Sequence, residues 1–350
     1  MHTPDELSSL LCRVIAARGD AGVAAAVLAS FDDLDQQAWQ VVAEQAIAHR
    51  LGFVLHQILA PACGRFPRLP RDVMARLRES GLRHATDNLG NQARLRRILA
   101  ACAQGEVPVM LVKGLWLTET VYADTRERSS GDLDLLIRPR DTQRFTELAR
   151  SLGFAVPESA SDVRALAPAG HEFTLIQPGR PGAVDLHWHL IHPSHDGVID
   201  EQSLWDRSVQ VSLGPVVCRV PCLEDHLLFV CFHAAVHHRF AGVGPRALMD
   251  VQQLMWRAQR TGVDWSDVVA RAREFGWSDG VWLLLDLARE QVGAAVPPAV
   301  LEALEPARPP GVDVRRAALE EMMVRPEHAR TVTGNMLGVM QASSLRERVH

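Results

Sequence analysis

The segment Gly131-Asp132-Leu133-Asp134-Leu135-Leu136-Ile137 constrains this chain more than any other. Its large aliphatic residues ask to be buried, yet two carboxylates alternate with them. In a strand, residues two apart share a face, so Asp132 and Asp134 project side by side. Like charges that close raise one another's pKa, and burying them uncompensated is costly. A divalent cation is the simplest counter-charge, so the segment predicts a buried strand at a cation site.

A second apolar run, residues 107–112, reads as a strand that ends at Lys113-Gly114. Lys113 is the only lysine of the chain; every other basic side chain of the Lys/Arg class is arginine. Ammonium and guanidinium groups differ in shape and hydration, so a single retained lysine marks a candidate functional position. Where a strand passes into a helix, backbone amides can cradle a phosphate, and Gly114 admits close approach. The third carboxylate candidate is Asp185, in Val184-Asp185-Leu186-His187-Trp188-His189. Strand periodicity puts Asp185, His187 and His189 on one face. Three carboxylates form an oxygen-rich set of the kind magnesium takes together with substrate phosphates.

The pattern along the chain is α+β. Residues 1–104 carry helical periodicity, notably over 38–59 and 71–104, the latter with an arginine-rich face of Arg83, Arg94, Arg96 and Arg97. Residues 105–222 form a sheet-bearing core. Strands are expected at 107–112, 132–137, 171–177 and 183–190, with a further pair over 209–220 around Gly214-Pro215. Helices are expected at 114–122 and 141–152. Residues 223–350 return to helices at 224–239, 245–259, 265–275 and 278–292, with a weaker pair after Pro297 and an unassigned tail from Pro306. A small mixed or antiparallel sheet flanked by helical regions is the expected architecture.

Lys113-Gly114, Tyr122, Arg128, Gly131-Asp132-Leu133-Asp134-Leu135-Leu136 and Asp185-Leu186-His187-Trp188 together resemble the uncharacterised nucleotidyltransferase family of the polymerase-β superfamily. The likeness continues into His233-Ala234-Ala235-Val236-His237 and Asp250, and covers about residues 85–260. It implies a polymerase-β-like fold and transfer of a nucleoside monophosphate from a nucleoside triphosphate, with ATP the expected donor, to an acceptor, releasing pyrophosphate. It further implies that Asp132 and Asp134 bind two Mg2+ ions and that Asp185 completes one site and helps deprotonate the acceptor. Lys113, Gly114 and Gly131 would contact the nucleotide, and Arg128 would neutralise the leaving group. The superfamily's Gly-Ser phosphate-binding pair is replaced here by Lys113-Gly114. A catalytically silent nucleotide- or peptide-binding module acting as scaffold or regulator is the alternative.

His187, His233 and His237 are read as substrate-side residues. His233 and His237 stand i, i+4 on an expected helix, but position 234 is Ala, so the general-base glutamate of a His-Glu-x-x-His metalloprotease is missing. The net charge of -5 and pI near 6.3 argue against a nucleic-acid or anionic-membrane surface. The acceptor is therefore expected to be a small molecule or a peptide or protein. The N-terminus lacks a basic, apolar leader and no apolar run reaches membrane length. With six widely spaced cysteines read as free thiols, this predicts a cytoplasmic protein.

Overall fold

The computed structural model describes residues 4–156, 171–179, 181–191, 199–213, 216–307 and 310–323. Two compact units are present, one of Met1–Gly81 with Leu227–His350 and one of Leu82–His226. The tail after residue 323 and the Gly214-Pro215 turn lie outside the described residues.

The first unit is helical in its described residues. Its helices are α1 (Pro4–Ala16), α2 (Ala21–Ala29), α3 (Gln36–Ala48), α4 (Gly52–Leu59) and the start of α5 (Arg71–Gln104). After residue 227 come the rest of α9 (Leu223–Cys231), α10 (Arg246–Thr261), α11 (Trp265–Glu274), α12 (Ser278–Val292), α13 (Pro298–Leu304) and α14 (Val312–Met323). Residues Val281 through Ala288 of α12 are all buried, as expected of a helix apolar on every side, and α1, α10 and α13 pack against it. Trp277 fills the core beside Phe232 and Phe275, with ring centroids 4.3 and 4.9 Å away.

Two stretches depart from the expected helices. The helix foreseen over 38–59 is broken at Arg50, whose φ is 60°. The apolar periodicity runs on through the break, so pattern alone does not reveal it. The helix foreseen over 224–239 ends as regular α-helix at Cys231 and widens into a π-turn, Phe232–His237. His238 N donates to His233 O at 3.0 Å, the i→i+5 bond of a π-turn. The widening brings a third histidine to the pair: His238 Nε2 is 3.2 Å from His233 Nε2, and the His233 and His237 rings stack at 5.6 Å.

The second unit carries a six-stranded mixed sheet in the order β3-β4-β2-β1-β6-β5. The strands are β1 (Val109–Leu111), β2 (Leu133–Ile137), β3 (Glu172–Ile176), β4 (Ala183–His187), β5 (Val209–Leu213) and β6 (Val216–Val220). β1 and β2 are antiparallel, β2 and β4 parallel, and the two outer pairs β3/β4 and β5/β6 antiparallel. The central strands β1 and β2 are almost wholly buried, which their aliphatic runs require. Edge strand β3 alternates exposure, and its polar residues Glu172 and Thr174 share one face. Helices α6 (Gly114–Thr120), α7 (Thr142–Ser151) and α8 (Glu201–Arg207) complete the unit with α5 from Leu82 onward. β4 stops at His187, shorter than the expected strand, so His189 leaves the sheet face and bonds Glu201 instead.

Four of the six cysteines (Cys12, Cys102, Cys218, Cys231) are buried, and all six are free thiols. Burial pushes Cys12 and Cys102 up to about 12, which leaves them inert as nucleophiles. Among the described residues no helix is long and apolar enough to cross a membrane.

Candidate active site

The site grows from the β2/β4 pairing. Asp134 and Asp185 are register partners, as are Leu136 and His187. Asp132 immediately precedes β2 and is exposed. Side chains two apart share a face, so Asp132, Asp134, Asp185 and His187 rise from one surface of the sheet. On the far side of β4, Glu172 partners His187 and Thr174 partners Asp185. Thr174 Oγ1 donates to Asp185 Oδ1 at 2.7 Å.

Lys113 reaches the same surface from the end of β1. Val112 N donates to Asp134 O at 3.1 Å, which closes the ladder beside the carboxylate. Lys113 then turns with φ 57° and ψ -126°, a conformation that costs a side-chain-bearing residue about 1–3 kcal/mol and concentrates at functional sites. Its Nζ lies 3.0 Å from Asp134 Oδ1 and 3.5 Å from His187 Nε2. His187 Nε2 is itself 3.2 Å from Asp134 Oδ1.

The charges sort the carboxyls. Burial would raise Asp134, but Lys113 and His187 outweigh it and hold the carboxyl well below its usual range. Burial also opposes the charge on Lys113, and Asp134, Glu172 and Asp185 more than compensate, leaving it raised. His187 is raised as well: burial and Lys113 oppose its charge, and the contacts with Asp134 and Glu172 prevail. Glu172 is lowered to about 2, chiefly by His187. Asp185 goes the other way. Burial and the charges of Asp134, Asp132 and Glu172 raise it, against the lowering effect of the Thr174 bond. A half-buried carboxyl crowded by like charges is a place where a hard cation binds with gain, and carboxylate oxygens are the donors magnesium takes. The ligand atoms of Asp132, Asp134 and Asp185 do not, however, all lie within 4.8 Å of one another.

Arg128 is buried, and one arm of its guanidinium reaches the helix that follows Lys113. Its Nη1 donates to Gly114 O at 2.8 Å, and Thr118 Oγ1 lies 3.4 Å away. A Cβ on Gly114 would meet Arg128 Nη1 at 3.4 Å and the Ser130 Cβ at 3.5 Å, so the glycine sits against this strap. Asn88 and Asn91, on α5, hold the strap and were not among the residues singled out by sequence. Asn88 Nδ2 donates to Thr125 O and Arg128 O at 2.8 and 2.9 Å, and its Oδ1 accepts from Ser130 N and Oγ. Asn91 Nδ2 donates to Ser130 O at 2.7 Å. Their spacing of three on one helix is the only trace of this role in the sequence. Trp116 of α6 stacks flat on His226 at 3.6 Å, fixing the helix that follows Lys113.

His171 and Glu172 were likewise not foreseen. His187 Nδ1 is 2.9 Å from Glu172 Oε2, and His171 Nε2 is 3.6 Å from the same oxygen. His233 and His237 belong to the other compact unit. A cavity of about 380 Å³ in the sheet unit is lined by Pro108, Arg138, Trp205, Asp206 and Arg219 and shares none of the residues above.

No curated protein and no solved structure matches the chain. The family described as "Uncharacterised nucleotidyltransferase" matches over residues 35–293, well over half its length and inclusive of every carboxylate described. The chain belongs to this nucleotidyltransferase family, and it is accordingly a nucleotidyltransferase.

Proposed function

We propose that the protein has a polymerase-β-like catalytic core and transfers a nucleoside monophosphate from a nucleoside triphosphate, ATP foremost, to a hydroxyl or amine. The acceptor would be a small molecule or a peptide or protein side chain, and pyrophosphate would leave. The observation that carries this reading is the in-register pairing of Asp134 with Asp185, with Asp132 two positions before Asp134 and the lone lysine against the pair. Asp132, Asp134 and Asp185 would hold magnesium, which when bound neutralises phosphate charge during an in-line displacement.

The chain's own groups then divide the work. Lys113 is already charged and aimed at the carboxylate cluster, and its ammonium can exchange Asp134 for a phosphate oxygen. Asp185, with its raised affinity for a proton, is the carboxyl best suited to accept one from the acceptor. Arg128 acts as a positioning residue, holding the Gly114 carbonyl and hence the Lys113 turn. His187 orients Asp134 from behind.

The direct test is calorimetric binding of ATP, CTP, GTP and UTP to the full chain with and without Mg2+. One nucleotide should bind in a magnesium-dependent manner, and Asp132→Asn should lower that affinity at least tenfold while the circular dichroism spectrum is kept. Equal binding by wild type and Asp132→Asn, or binding indifferent to magnesium, would refute the carboxylate site.

A further inference from the structure

The contact between His187 and Glu172 is close but not directed as a hydrogen bond. The atoms are 2.9 Å apart, yet Nδ1 of this fully buried ring has no aligned partner. Such geometry is costly for a hydrogen bond and natural for two ligands of one ion, because co-ligands aim at the ion and not at each other. Among the described residues, His171, Glu172 and His187 are the set of candidate ligands whose donor atoms all lie within 4.8 Å of one another.

We propose that His171 Nε2, Glu172 Oε2 and His187 Nδ1 bind a zinc-type divalent cation, at a site coupled through His187 to Asp134. Ligand atoms bonded at about 2.0–2.1 Å to a tetrahedral zinc stand roughly 3.3 Å apart. The observed separations of 2.9 and 3.6 Å bracket that spacing. Two imidazoles with one carboxylate favour zinc over magnesium, which prefers oxygen alone.

The other ring nitrogen supports the assignment. His187 Nε2 lies at 3.2 Å from Asp134 Oδ1, so it carries the proton when it bonds that carboxylate. With Nε2–H committed to Asp134, a neutral ring can turn its Nδ1 lone pair toward the Glu172 side. A cation there would take the place of the ring proton that otherwise faces the Glu172 carboxylate. Metal-bound histidines commonly donate their second N–H to a carboxylate, which fixes tautomer and ring orientation. Here that carboxylate would be Asp134. The site has a route to solvent, since the Glu172 side chain is 40% exposed and His171 15%. The cross-strand partnership of Glu172 with His187 supplies the rigid frame. The inference does not depend on nucleotidyl transfer.

The test is titration of chelator-stripped, full-length protein with Zn2+ by calorimetry, and with Co2+ by visible absorption. One tight equivalent should bind and resist a large excess of Mg2+, with the intense d–d bands of low-coordinate Co2+. His171→Ala and Glu172→Gln, both at positions open to solvent, should each weaken that equivalent about 100-fold or more with the fold retained. His233→Ala, which alters the separate histidine cluster, should leave it intact. Absence of a tight equivalent, or undiminished binding in His171→Ala and Glu172→Gln, would overturn the proposal. So would loss of that equivalent in His233→Ala alone.

Discussion

Asp134 and Asp185 are register partners on adjacent parallel strands, yet their environments push their carboxyls in opposite directions. Asp134 has Lys113 at 3.0 Å and His187 at 3.2 Å. Asp185 has the Thr174 bond, and burial with like charge outweighs it. One carboxylate is neutralised within the protein and the other is left in want of a cation.

Replacing Asp185 by Asn should therefore separate stability from activity. A carboxyl whose folded pKa is raised binds protons more tightly in the folded state, so its penalty develops as pH rises from the unfolded value near 3.8 through the folded one. Asn keeps the shape and can still accept from Thr174. The expected result at pH 7 is a protein as stable as wild type or more so, by up to about 1 kcal/mol, with magnesium-dependent nucleotide binding lost. Thermal melts beside calorimetry check both halves. A marked drop in melting temperature would contradict the crowded-charge description.

Lys113→Met should behave oppositely. Methionine keeps the apolar stem but leaves Asp134, whose side chain is only 14% exposed, with His187 in place of two charged partners. At pH 7 the cost should be about 1–3 kcal/mol, the range for a buried polar group losing its partner. A depressed carboxyl contributes stability that is fully present above its unfolded value near 3.8 and lost as pH falls through the folded one. The gap between wild type and variant should thus narrow in acid. Urea unfolding at pH 7 and pH 3 measures it, and a gap independent of pH would rule out the ion pair as its source.

Asn88→Ala tests the strap behind the site. Asn88 is 1% exposed, and its amide serves Thr125, Arg128 and Ser130 at once. Truncation leaves several buried backbone groups without a partner, so a loss of about 2–4 kcal/mol is expected. Because the strap carries Arg128 to Gly114, nucleotide affinity should fall in the fraction that remains folded. Denaturant curves give the first number and calorimetry below the transition gives the second. Unchanged stability would show that the loop holds its shape without α5.

The residues legible from sequence are those whose role follows a short-range rule. Asp132 and Asp134 show through a period of two, Asp185 and His187 through the same period, and Lys113 through its singularity in an arginine-rich chain. The mixed sheet and its outer antiparallel pairs follow from the same alternation. Asn88 and Asn91 were hidden because their partners lie about 40 positions further along the chain, and no local pattern distinguishes a buried asparagine from a solvated one. His171 and Glu172 were hidden because their meaning arises only when β3 registers against β4. The break at Arg50 and the π-turn at Phe232–His237 leave the apolar periodicity nearly intact, so it cannot report them.

The chain leaving β4 is pinned by a contact with its own pH signature. His189 Nδ1 lies 2.9 Å from Glu201 Oε1, the first residue of α8, and the same oxygen accepts from Leu190 N at 3.3 Å. Glu201 raises the His189 pKa against the effect of burial. A histidine so raised contributes stability that is fully present below its unfolded value near 6.5 and lost as pH rises through the folded one. Glu201→Gln keeps an oxygen for Leu190 N but removes the charge. Its melting temperature should lie below wild type at pH 6, by an amount equivalent to about 1 kcal/mol or less for a partly exposed pair. The two curves should converge as pH rises through the folded value, once His189 is neutral in both. A constant offset across that window would mean the carboxylate acts by packing alone, and the His187 end of the strand would then owe nothing to this charge.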